Sequence, residues 1–117
     1  MNKRILFITF LLAFLPCLAY GWTDQAIVEA IGKAENSIKY PYGIKSIDTK
    51  GNIEYARKIC LNSVINGRKR WIKAGKPCDL IEYISRRYCP INAPDDNGTN
   101  KYWVKNVKYF LNKEVLK

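Results

Sequence analysis

Apolar residues recur at Ile27, Val28, Ile31, Ala34 and Ile38, the spacing of one helical face, directly after Thr23 and Asp24, two residue types that favour an N-cap. The pattern predicts a first helix over residues 24–37. Periodicity fails from 40 to 51, where Pro41, Gly43 and Gly51 interrupt the chain and Ile44 and Ile47 stand singly. That stretch reads as a loop or short hairpin. Asn52 then offers a cap for a second helix with Ile53, Ala56, Ile59, Cys60, Leu61 and Val64 on its buried side, which Gly67 is expected to end or kink. Residues 68–74 add a further helical turn around Trp71, stopped by Gly75 and Pro77. Asp79 caps a third helix carrying Leu80, Ile81, Tyr83, Ile84 and Tyr88, and Pro90 ends it. After a turn-rich loop over 90–100, a last helix over 101–115 places Trp103, Val107, Phe110 and Leu111 on one face. The fold expected is mainly α, one small helical domain with a short non-helical insert after its first helix.

The N-terminus changes the picture of where this domain works. Lys3 and Arg4 precede an apolar run to Leu15, with the small residue Ala19 beyond it, the layout of a secretory signal peptide over residues 1–19. The run is shorter than the about 20 apolar residues that a membrane span needs, so no stable insertion is expected after cleavage. Cys17 raises a lipoprotein alternative, against which Pro16 stands. The expected domain occupies residues 20–117, in the periplasm or outside the cell, as a monomer. Without Lys3 and Arg4 it carries 18 Lys and Arg against 10 Asp and Glu and no His, so its partner should be anionic. Arg68-Lys69-Arg70-Trp71 would suit a nucleic acid, but export argues for a cell-wall matrix instead and against a nucleic-acid partner.

Missing histidine also restricts the chemistry. Serine- and cysteine-type hydrolases lose their general base, and Cys60, Cys78 and Cys89, without a Cys-x-x-Cys spacing, make no zinc site, so neither metal nor cofactor is expected. An oxidising compartment would allow one disulfide among these three, with the pairing open. Among carboxylates Glu35 is best placed. At roughly 100° per residue it falls between Val28 and Ile31, on the edge of the apolar stripe, whereas Glu29 points the opposite way. Partial desolvation and the negative end of a helix both raise a carboxyl pKa, which suits a general acid. The competing structural role is an ion pair with Lys39 four residues on.

Glu35-Asn36-Ser37, followed by Tyr42-Gly43-Ile44-Lys45-Ser46-Ile47, resembles the lytic transglycosylase pattern, in which a helix-terminal Glu-Ser precedes a Gly-Leu-Met-Gln-Ile-type segment. Tyr83-Ile84-Ser85-Arg86-Arg87-Tyr88-Cys89-Pro90 takes the place of that family's Ala-Tyr-Asn motif, whose tyrosine lies near the catalytic acid. The resemblance runs from about Trp22 to Leu111, with Ser46 standing where the family has Gln. It implies a lysozyme-like fold and cleavage of the MurNAc-GlcNAc β-1,4 bond of peptidoglycan, with 1,6-anhydro products. Glu35 would be acid and base, Tyr88 its orienting partner, and Tyr42, Gly43, Ile44 and Ser46 the cleft lining. A lysozyme-type hydrolase would need a second carboxylate, for which Asp48 is the nearest in sequence and is otherwise read as a turn residue. The alternative from another class is a noncatalytic exported protein, either a cationic wall-binding module or an inhibitor. Trp22, Trp71 and Trp103 are assigned to packing.

Overall fold

The structure, a computed structural model, describes residues 21–45 and 47–115, with side chains through 113. The expected signal segment, Cys17 and Ser46 lie outside the described residues.

Helix α1 spans Asp24–Glu35, and the Thr23 hydroxyl accepts the Ala26 N–H at 3.0 Å as its cap. It closes two residues earlier than its apolar period suggests because Asn36 enters the left-handed region, φ 41°, and returns its N–H to the Gly32 carbonyl. Ile38, the last residue of that period, is therefore exposed. The insert that follows contains one 3₁₀ turn, Pro41–Gly43, and no strand among the described residues.

Helix α2 spans Ile53–Lys73, capped by the Asn52 side chain on the Tyr55 N–H. It runs straight through Gly67, where the sequence suggested a break. The reason is tertiary: Gly67 is buried, and a Cβ on it would lie 3.0 Å from Ile84 Cγ1. Its missing side chain brings two helices together. Helix α3 spans Leu80–Tyr88 with Asp79 as its cap, and α4 spans Trp103–Val115 after a 3₁₀ turn at Asn100–Tyr102.

The packing forms a ring in which α1 lies against α2 and α4, and α3 closes the other side against the same two helices. Ile27, Val28 and Ile31 of α1 meet Cys60 and Val64 of α2, Ile81 and Ile84 of α3, and Val107 and Leu111 of α4 in one core. A mainly α domain with a short irregular insert is thus the architecture observed. Removing one of these large side chains should cost about 2–5 kcal/mol.

Cys60, Cys78 and Cys89 are all free thiols, not the disulfide-plus-one arrangement anticipated from an oxidising compartment. Cys78 and Cys89 flank opposite ends of α3; at about 1.5 Å per residue a helix of that length holds them well beyond the about 7 Å limit for bridging. Burial pushes the Cys60 thiol up to about 12 and the Cys89 thiol up to about 11, so both are held neutral.

Candidate active site

Glu35 is the last residue of α1, so its backbone lies at the negative end of that helix while its side chain turns back over the apolar stripe. The N-terminus of α4 meets it there. Trp103, 5% exposed, donates its indole N–H to Glu35 Oε1 at 2.8 Å. Burial raises the Glu35 carboxyl above its ordinary value, and this outweighs the opposing influences of the Trp103 hydrogen bond and the more distant Lys45 ammonium. Lys39, the alternative ion-pair partner, instead lies over the Tyr40 ring with its ammonium 5.4 Å from the centroid.

The insert supplies the opposite wall. Gly43 comes so close that a Cβ there would fall 2.7 Å from Glu35 Cδ and 2.8 Å from Oε2. Only glycine allows this approach, and its φ of 72° independently favours glycine. Tyr42, immediately before it, is also left-handed at φ 59°, a conformation that costs a non-glycine residue on the order of 1–3 kcal/mol. Three contacts impose it. The Tyr42 ring rests on Gly32 of α1, where a Cβ would lie 2.6 Å from Cε1. The Gly43 N–H bonds to the Tyr40 carbonyl at 2.8 Å. The Tyr88 hydroxyl donates to the Tyr42 carbonyl.

Tyr88 is therefore bonded to the turn that abuts Glu35 and not to the carboxyl itself. Burial raises its phenol far above the ordinary value, holding it as a neutral donor, and its ring lies 5.5 Å from that of Trp103. The resemblance implied that Tyr88 orients Glu35; the direct hydrogen bond comes from Trp103 instead. Sequence reasoning assigned Trp103 to packing alone, although a buried indole N–H requires an acceptor and Glu35 was an available one.

The carboxyl opens on a cavity of about 240 Å³ lined by Ala34, Glu35, Cys89, Thr99, Asn100, Trp103 and Asn106. Of the other sequence-derived site residues, Gly43 touches the carboxyl, whereas Tyr42 lines a cavity of about 460 Å³ beside Gly32 and Pro41, and Ile44 one of about 510 Å³ with Lys45 and Asp48. The anticipated lining thus divides between the two sides of the 3₁₀ turn. Asn100 and Asn106, which the sequence did not single out, add polar groups next to the acid. Asp48 is exposed and accepts the Lys50 N–H at 2.9 Å, a turn bond.

Chemically, the arrangement offers one carboxyl that exchanges its proton closer to neutrality than a solvated one, faced by glycine backbone and fixed by a neutral donor. Among the described residues no group of three His, Cys, Asp or Glu is placed to hold a metal ion. No protein-family model, curated protein or solved structure matches the chain.

Proposed function

We propose that the protein is a lytic transglycosylase of lysozyme-like type that cleaves the MurNAc-GlcNAc β-1,4 bond of peptidoglycan, with Glu35 as its one acid and base. The observation that carries the reading is the Glu35 carboxyl with its pKa raised by burial, held by Trp103 and abutted by Gly43. A protonated carboxyl is the group needed to donate to a glycosidic oxygen.

In the first half of the reaction the Glu35 proton passes to the bridging oxygen as the bond from that oxygen to the muramic anomeric carbon breaks. The departing chain leaves as an alcohol. The Glu35 carboxylate then accepts the proton of the muramic 6-hydroxyl while that oxygen bonds to the anomeric carbon, closing the 1,6-anhydro ring and restoring the acid. One carboxyl serves both halves, and no water is consumed. Hydrolysis of the lysozyme kind would draw on a second carboxylate about 5 to 9.5 Å away. Asp48, the sequence's candidate for that role, is engaged in its own turn.

The same reading places the protein in the periplasm or outside the cell, acting as a monomer without a cofactor. Its excess of Lys and Arg favours an anionic wall. The test is incubation of the purified protein with peptidoglycan and mass spectrometry of the released muropeptides, beside Glu35→Gln. Anhydro products that disappear in the variant are expected. Reducing-end products would replace the lyase by a hydrolase, and no release across a range of pH would leave the noncatalytic wall-binding reading.

A further inference from the structure

The run Arg68-Lys69-Arg70-Trp71 takes no part in the chemistry at Glu35, and within α2 its members point in different directions. Arg68 turns toward α1, with Nε 2.7 Å from Asp24 Oδ1 and Nη2 2.6 Å from the Trp22 carbonyl. Trp71 donates its indole N–H to the Cys78 carbonyl at 2.7 Å. Arg70 enters a pocket of about 290 Å³ between α2 and α3, whose other walls are Ser63, Asn66, Ile84, Arg87 and Tyr88.

This pocket differs from the rest of the basic surface in what its arginines lack. Arg57 is held by Glu29 and Gln25, Arg68 by Asp24, and Arg86 lies over the Tyr83 ring. Arg70 Nε is buried with no hydrogen-bond partner among the described residues, and Arg87 forms no ion pair with any of them. A buried donor left unpaired is costly, and most so on a charged group. Arg70, Arg87 and Asn66 thus line one polar pocket that no carboxylate lines. Planar forked donors of this kind match an oxyanion with two oxygens.

The pocket is joined to the acid through one side chain. Tyr88 forms its wall and donates to the Tyr42 carbonyl, and Tyr42 leads directly into Gly43 against the Glu35 carboxyl. We propose that Arg70 and Arg87 bind a carboxylate of the peptide carried by the muramic lactyl group, so that the enzyme recognises peptide-bearing strands. The assignment of that ligand rests on the function proposed above; the oxyanion chemistry of the pocket rests on its own residues.

The test uses Glu35→Gln protein, which leaves the ligand intact, and follows the Arg70 and Arg87 side-chain N–H signals by NMR. Three probes are titrated: a GlcNAc-MurNAc disaccharide bearing its tetrapeptide, the same disaccharide without peptide, and inorganic phosphate. The peptide-bearing probe should shift both signals, the bare disaccharide neither, and phosphate only at far higher concentration. Adding Arg70→Gln or Arg87→Gln should weaken binding of the first probe about tenfold or more, the worth of a charge-assisted bond. Arg87 is exposed, so its variant remains informative if loss of Arg70 disturbs the α2–α3 contact. Equal response to phosphate overturns the peptide assignment, and no response to any probe overturns the site. If wild-type protein releases no muropeptides while the arginine shifts persist, the catalytic reading falls and the anion site stands.

Discussion

The two faces of α1 each carry a glutamate, six residues apart, and the molecule treats them oppositely. Glu29 is exposed and meets Arg57 Nε at 2.8 Å, while the same guanidinium also reaches Gln25 at 2.6 Å. Water and the Arg57 guanidinium surround that carboxylate, and the pair contributes little beyond surface complementarity. Glu35 has a neutral indole for its hydrogen bond and a glycine backbone for its neighbour. Desolvation there favours the protonated form. Identical side chains on one helix thus become a surface ion pair and a desolvated carboxyl, and the difference is made by what packs on each face. The carboxyl is tuned from outside α1, by α4 and by the Pro41–Gly43 turn.

The strongest way to break this contrast is to remove the proton. Under the function proposed above, Glu35→Gln should lower turnover on peptidoglycan about 10²–10⁴-fold, the usual contribution of a positioned general acid. Its effect on stability should have the opposite sign. Because the native carboxyl is raised above its unfolded value, the folded state binds the proton more tightly, and stability falls as pH rises from the ordinary carboxyl value through the raised one. The glutamine variant escapes that loss, so its Tm should exceed wild type at neutral pH and converge with it in acid. Thermal melts across pH check this, and a variant less stable than wild type at neutral pH would contradict the burial argument. The same substitution at Glu29 should leave turnover unchanged.

Next in size is Gly43→Ala. The new Cβ must displace either the carboxyl or the turn, and a left-handed alanine costs about 1–2 kcal/mol. A misplacement on the order of 1 Å can cost about 10²-fold in rate, so turnover should fall by roughly that factor while circular dichroism still reports a helical fold. Gly67→Ala is its counterpart in the core. There the neighbour is Ile84, and turnover should be unaffected whatever the change in stability.

These two glycines also mark what the sequence could and could not convey. Helix starts were legible because Thr23, Asn52 and Asp79 cap locally. The bias of Glu35 toward the apolar edge followed from helical rotation alone. Gly67 looked like a helix end because its actual function, admitting Ile84, depends on a segment that only the fold brings near. Trp103 was missed for the same reason: its bond to Glu35 spans 68 positions in sequence, and apolar periodicity classifies it as core. The resemblance set Tyr88 beside the acid, whereas its acceptor is a backbone carbonyl exposed by a left-handed turn that no residue pattern announces.

Trp103→Phe sharpens the contrast at smaller cost. The indole N–H favours the charged form of Glu35, so its removal pushes the carboxyl further upward. The alkaline limb of the pH–rate profile should move to higher pH, with about 1 kcal/mol of stability lost for one hydrogen bond. Tyr88→Phe, which frees the Tyr42 carbonyl rather than the carboxyl, should lower turnover without moving that limb. A shift of equal size in both variants would mean that the two side chains act as one hydrogen-bonded unit.

The smallest effect belongs to the other face. Arg57→Ala removes the partner of Glu29 and the contact with Gln25, yet all three side chains lie in or near water, where an ion pair is worth little. Turnover and its pH profile should match wild type, and any loss in Tm should vanish in high salt as the Coulomb attraction is screened. Chemical denaturation with and without salt, run beside the activity assay, measures both. A salt-independent loss, or a changed pH profile, would show that the Glu29 face communicates with the acid through Tyr42, whose phenol both Glu29 and Arg57 influence. The separation between the two faces of α1 would then be one of degree.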